Sequence, residues 1–327
     1  MPVIDVHTHM YSREWMRLLR QCGAPLYEVR PVANGNECIF RGDAPVAVPT
    51  PGHFDYALRI RDMDAAGVDM AIVSLTCPNV YWGGRVVSLE AARQVNDEMA
   101  EAQRTYPARI RWFASLPWEY PEDAVSELRR AYAKGAVGVM VLANVAGRKL
   151  TADEFTPIWD LIDELALPVL VHPTDPPGVD LLDMRSQDLT WSVGFIFDTS
   201  LAVARMIMSG FLDRYTRLKI IASHGGGALP YLIGRFEKGY DISTLEDRVM
   251  KKRPLEYLQQ IYYDAITYDH GALRYCIEVA GSSQVMFGSD YPHIVGDMKG
   301  VLASVGQLPR DQQLAVRSRN AERIFNL

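Results

Sequence analysis

Eight short runs of apolar and β-branched residues alternate with helix-patterned segments along 327 residues, which predicts an α/β protein with a parallel sheet sheathed by helices. Eight such units in a chain of this length favour closure into a (β/α)8 TIM barrel over an open sheet. A third observation qualifies the first two. The connection after the first run is long, irregular and rich in Pro and Gly, and loops of that length in a folded domain are usually functional. The chain thus reads as one domain over 1–327, with 10–55 an insertion lying over the barrel mouth.

The strand candidates are PVIDV (2–6), MAIVSL (70–75), IRWFASL (110–116), VGVMVL (137–142), LPVLVH (167–172), LKIIAS (218–223), QIYYDA (260–265) and QVMFGS (284–289). Within the insertion, REWMRLLRQCG has helical character. From Ser88, the spacing of Leu89, Ala92, Val95, Met99 and Ala102 predicts a helix. PEDAVSELRRAYAKG opens on a proline with acidic residues in its first turn and stops at Gly135. In TADEFTPIWDLIDELA, Thr151 and Glu154 have the spacing of a capping box. DTSLAVARMIMSG, ALPYLIGRFEKGY, HGALRYCIEVAG and PRDQQLAVRSRNAERIF complete the helices.

Composition narrows the function classes. A net charge of −6 with both signs interspersed lacks the basic stripe that nucleic acid requires. No uninterrupted apolar stretch reaches about 18 residues, and the N-terminus shows no secretory pattern, so neither membrane nor nucleic acid is expected as a partner. Cys22, Cys38, Cys77 and Cys276 have no metal-knuckle or dithiol spacing; they read as reduced thiols of a cytoplasmic protein, with Cys22 and Cys38 near enough in an irregular region to approach one another.

Function enters at the strand ends. In the extended DVHTH, His7 and His9 share a face with Cα atoms roughly 7 Å apart. Strand five ends at His172, strand six at His224 and strand eight near Asp290. Each alone has a plain explanation, a hydrogen-bonded core histidine or a turn-forming aspartate. Their joint placement on the rim where such barrels carry active sites is not explained by packing. The glycines 225–227 suit either a close backbone approach to a ligand or a mere strand-to-helix turn. The aromatic groups WEY (118–120) and VYWGG (80–84) follow strands three and two, where packing is the default role. His293 suits either the pocket or the shell behind it, and His53 and His270 have no pattern partner.

DVHTH, VHP (171–173), SHGGGALPYLIGR (223–235) and FGSDYPH (287–293), with RIRDMDAAGVDMAIVS (59–74), resemble the amidohydrolase superfamily. They are most similar to its branch of aminocarboxymuconate semialdehyde, γ-resorcylate and 5-carboxyvanillate decarboxylases. The resemblance implies that His7, His9, His172 and Asp290 hold one divalent metal ion. Three imidazoles and a carboxylate suit Zn²⁺ first and, at higher coordination, Mn²⁺. It implies that His224 is a catalytic proton shuttle, with Asp290 the other candidate for that proton. It further implies that Arg235 binds the substrate carboxylate in the neighbouring subunit of a dimer, and that Arg41 is a second carboxylate ligand. Asn144 stands where two-metal members carry a carboxylated lysine, which favours a single ion.

The expected activity is therefore metal-dependent, non-oxidative decarboxylation of an aromatic or muconate-like carboxylic acid. Metal-dependent hydrolysis of a lactone, amide or carbon–carbon bond, or hydration of a related acid, uses much the same apparatus. A non-catalytic metal-binding barrel is the remaining alternative.

Overall fold

A computed structural model describes residues 2–32, 35–243 and 249–327. Eight parallel strands follow one another in chain order around a barrel: Ile4–His9, Met70–Ser74, Ile110–Ser115, Gly138–Leu142, Pro168–His172, Lys219–Ala222, Tyr262–Asp264 and Val285–Met286. The eighth strand is two residues long, and the barrel closes through its extension. Val6 N–H donates to Phe287 O at 3.0 Å, and His7 O accepts from the N–H groups of Ser289 and Asp290 at 3.1 and 2.9 Å. Val6, Ile72, Phe113, Val141, Val169 and Ile221 are fully buried, as parallel strands covered on both faces require. All eight strands lie on the runs that the sequence marks.

The first strand carries a register shift. Asp5 pairs with Ala71 but Thr8 with Val73, one extra residue that bends the strand just where His7 leaves it. Arg59, fully buried, fixes the far face: its guanidinium donates to Thr8 Oγ1 at 2.5 Å and to His9 O. Thr8 is thus turned away from the two histidines.

The insertion is more ordered than its composition suggests. Arg13–Cys22 is helical, and an antiparallel sheet of Glu28–Pro31, Glu37–Arg41 and Ala44–Ala47 follows; Ala33 and Asn34 lie outside the described residues. Residues 45–48 reach the cavity at the C-terminal end of the barrel. The helices marked by the sequence follow in order with two differences, and further helices it does not mark occur, among them Tyr56–Ala66, Pro254–Leu258 and Met298–Gly306. The helix predicted from Ser88 spans Gly84–Thr105, and the Ser88 hydroxyl donates to Val80 O. The Thr151 capping box does not form. A short 3-10 turn, Asp153–Phe155, precedes the helix Thr156–Leu165, whose Pro157 is suited to a first turn.

Ser186–Met208 is long and apolar enough to cross a membrane by length and composition. Its apolar character has a local use, because Trp191, Phe195 and Ile196 line the cavity over the barrel. The four cysteines are unpaired.

Candidate active site

The bulged first strand aims both of its imidazoles into the barrel mouth, where His7 Nε2 and His9 Nε2 stand 3.1 Å apart. His172 comes in from the fifth strand, with ring centroids 5.1 Å from His7 and 4.8 Å from His9. Asp290 follows the eighth strand and places Oδ1 3.2 Å from His9 Nε2 and 3.7 Å from His7 Nε2. His224 follows the sixth, with Nε2 3.7 Å from Asp290 Oδ2. Donor atoms of His7, His172, His224 and Asp290 all lie within 4.8 Å of one another, as do those of His9, Asp290 and His293.

Hydrogen bonds set the tautomers. His172 Nδ1 is 2.8 Å from Pro173 O, an acceptor only, so Nδ1 carries the proton. Ser74 Oγ donates to Thr8 O at 3.4 Å and so accepts from His9 Nδ1 at 3.1 Å. His7 Nδ1 donates to Asp264 Oδ2 at 2.7 Å. All three imidazoles therefore turn Nε2 lone pairs inward. Burial pushes His172 well below its ordinary value, and burial likewise takes His9 down to about 3. Both are neutral at physiological pH, the form that coordinates a metal. Burial also opposes charge on Asp290, but the imidazoles gathered around it, His224 and His9 first, hold its carboxyl well below the usual carboxylate range.

These features fit a divalent cation. Two lone pairs 3.1 Å apart repel unless a proton or a metal ion lies between them. Asp290 Oδ1, buried and without a hydrogen-bond partner, adds an anionic donor at the same point. The surrounding shell is built for it: Asp264 backs His7 and Ser74 backs His9, the arrangement that orients metal-binding imidazoles.

Two site residues adopt left-handed backbones, His224 at φ 55° and Asp290 at φ 59°, which non-glycine residues rarely hold without support. Asp264 supplies it for His224: its carboxylate accepts the N–H groups of His224 at 2.8 Å and Gly225 at 3.0 Å. The left-handed run continues through Gly225, Gly226 and Gly227. A Cβ on Gly226 would lie 2.6 Å from the Tyr263 ring, and one on Gly227 2.5 Å from Ser200 Oγ. These glycines make a tight, closely packed turn.

The candidate residues separate at the arginines. Arg41 is not brought to the histidines: its guanidinium binds Asp175 Oδ2 at 2.8 Å, shared with Arg185, on the wall of a separate cavity of about 360 Å³. Arg235 lies exposed on the helix Leu229–Ile242. It sits four residues, hence one turn on the same face, beyond Tyr231, which lines the main cavity. Asn144 faces away from the histidines, its amide donating to both Asp198 oxygens at 3.1 Å. Trp82 and Trp118 are buried and pack against Trp15 and Trp159, whereas Tyr81 lines the smaller cavity. His293 lines the main cavity, bonded to Thr76 Oγ1 at 3.2 Å. His53 is fully buried beneath it, and His270 contacts Ser304.

Residues 4–327 match the amidohydrolase family model. A 2-amino-3-carboxymuconate-6-semialdehyde decarboxylase of Dictyostelium discoideum is 29% identical over 311 residues, 90% of this chain and 83% of that protein. A γ-resorcylate decarboxylase of Polaromonas sp. strain JS666 is 31% identical over 249 residues, 72% of this chain and 76% of that protein. In fold, the chain resembles a dihydroxybenzoic acid decarboxylase from the same Polaromonas strain, solved with manganese and 2-nitroresorcinol. The TM-score is 0.82 at 24% identity, covering 100% of this chain and 97% of the other. The chain belongs to the amidohydrolase family, and its fold is the family's barrel.

Proposed function

We propose that the protein is a metal-dependent, non-oxidative carboxy-lyase for an aromatic or muconate-like unsaturated acid, with one divalent ion held by His7, His9, His172 and Asp290. The observation that carries the reading is the approach of His7 Nε2 to His9 Nε2 beside the unpartnered Asp290 Oδ1, with His224 across the same carboxylate. The names of the Dictyostelium and Polaromonas relatives, both decarboxylases of unsaturated acids, support this reaction class. Three nitrogen donors and one carboxylate suit Zn²⁺; manganese, present in the Polaromonas structure, suits the same donors with added oxygens.

Loss of CO₂ leaves an electron pair on carbon, and protonating that carbon first lets the departing bond restore conjugation. A bound divalent ion supplies Lewis acidity toward the substrate's oxygens and orients them. The chain's own part is the proton. His224 borders the cavity, with Nε2 near Asp290 and Nδ1 buried without a partner, and it delivers a proton to the ring carbon as a general acid. The Asp290 carboxylate lies beside it, with Oδ2 3.7 Å from His224 Nε2.

Among the described residues, no Lys or Arg lines the main cavity. The substrate carboxylate therefore falls to the metal-binding end and to Arg235 of the partner subunit in a homodimer, reached from the exposed face of its helix. Arg41, held by Asp175, becomes a carboxylate ligand only by leaving that ion pair. The free cysteines suit a reducing cytoplasm.

The test is a panel of hydroxybenzoates, muconate semialdehydes and lactones given to metal-replete protein, with CO₂ and titratable acid both measured. CO₂ release without new acid is expected. New acid without CO₂ makes the protein a hydrolase, and metal binding with no turnover of any acid leaves a non-catalytic barrel.

A further inference from the structure

The metal-binding floor accounts for little of the cavity above it. That cavity measures about 1100 Å³, just above the roughly 300–1,000 Å³ typical of sites for drug-sized ligands. His172, His224 and Asp290 form one end. The wall above them is apolar and comes from several loops: Val46 and Val48 from the insertion, Trp191 and Phe195 after the fifth strand, Tyr231 after the sixth, and Ile294 after the eighth. Each of these lies beyond its strand end in the chain, so the apolar wall rises from the floor toward the opening. At the rim, Tyr231 and Ile294 are 80% and 78% exposed and Trp191 51%. Large apolar side chains left open beside a polar floor mark a binding surface. A single-ring acid at the floor would leave the rest of the space to water held against apolar walls, which the hydrophobic effect disfavours.

We infer that the preferred substrate is an acid whose ring carries a long apolar arm, an alkyl or aryl substituent of several carbons, lying along the wall of Val48, Trp191 and Ile294. This rests on the decarboxylase reading for which end of the ligand meets the floor. Among the described residues the lining holds no Lys or Arg, which, with Arg235 of the partner subunit taken by the ring carboxylate, argues against a second anionic group, such as a phosphate or a distal carboxylate, at the far end of the arm. The arm is thus not anionic.

The experiment uses metal-replete, full-length protein and two series of 2-hydroxy-6-alkyl rings, with arms of one, three, five and seven carbons. One series carries a carboxylate and is followed by CO₂ release. The other carries a nitro group in its place and is followed by calorimetry, so that binding is read without turnover. Affinity in the nitro series is expected to rise by up to about fourfold per methylene, at least tenfold from methyl to pentyl, with an increasingly negative heat-capacity change. Ile294→Asp and Val48→Asp are expected to bring the pentyl-to-methyl affinity ratio close to one. A flat affinity across the series, or no measurable binding by any member, overturns the inference. So does a flat series combined with conversion of Ile294→Asp to a monomer in sedimentation, because the rim is then filled by a second copy of the chain. Graded binding without CO₂ from any carboxylate keeps the apolar arm and rejects the decarboxylase.

Discussion

One oxygen of Asp264 accepts both the His7 Nδ1 proton at 2.7 Å and the backbone N–H of His224 at 2.8 Å. A single buried carboxylate therefore fixes the tautomer of a candidate metal ligand and the left-handed turn of the candidate proton donor. Burial works against its charge, yet the His7 contact holds Asp264 below the usual carboxylate range. Burial opposes charge on His7 most strongly, but Asp264, together with the charges of Asp290 and Asp5, raises the imidazole above its ordinary value.

Asp264→Asn is expected to weaken metal binding by about 10- to 100-fold, the usual cost of losing a partner behind a ligand. The substituted chain should keep its far-ultraviolet circular dichroism. Metal titration against a competing chelator reads the affinity, and an unchanged value would falsify the supporting role given to Asp264.

His224 and Asp290 should separate by metal content. His224→Asn is expected to keep its ion and lose about 10²–10⁴ in kcat, the range for removal of a general acid. Asp290→Asn should lose both metal and turnover. Elemental analysis after gel filtration decides between the roles. Because a His224 donor atom lies within 4.8 Å of those of His7, His172 and Asp290, a His224→Asn protein emptied of metal makes His224 a ligand instead of a shuttle.

The barrel was readable because its strands are dense in Val, Ile and aromatic residues and are bounded by helix-patterned segments, so that two periodicities agree. The site was readable wherever a histidine or aspartate closed such a run. Asp264 satisfies the same criterion at the end of the run QIYYDA, and applying the strand-end test to the seventh strand would have found it. The insertion sheet was harder to see. Glu28–Pro31, Glu37–Arg41 and Ala44–Ala47 are short, partly exposed and interrupted by Pro31 and Pro45, so their pairing depends on what they lie against. Arg41 shows a further limit. Sequence places it near the mouth, but its partner Asp175 is 134 residues away, and no local pattern predicts that ion pair.

Arg235 supplies a test of the dimer. Arg235→Ala is expected to raise KM about tenfold or more, the scale of a lost hydrogen bond to a charged group, with metal content unchanged. Mixed with His172→Ala by co-expression, it should regain turnover, since hybrid dimers hold one site with both an intact metal centre and an intact arginine. Differently tagged subunits purified in tandem provide the hybrids. If proven hybrids are no more active at low substrate than the Arg235→Ala parent, Arg235 does not serve the neighbouring site.

Asp198 predicts a stability slope independent of the metal centre. Burial raises its carboxyl from 3.8 to about 7, against hydrogen bonds from Thr174 N–H and Asn144 that favour the anion. A raised folded-state value means that the folded protein holds a proton which the unfolded chain has released. The stabilisation is complete below about pH 4 and is lost as pH rises through about 7, at no more than roughly 1.4 kcal/mol per pH unit. Asp198→Asn keeps a neutral group there and should flatten part of this decline, leaving the contribution of Asp5, which burial also raises to about 7. Urea unfolding of chelator-treated wild type and variant at pH 5 and pH 8 measures the difference, expected to be about 1 kcal/mol or more. Equal slopes in the two proteins would mean that Asp198 is already ionised at pH 5 and that its bonds to Thr174 and Asn144 outweigh its burial.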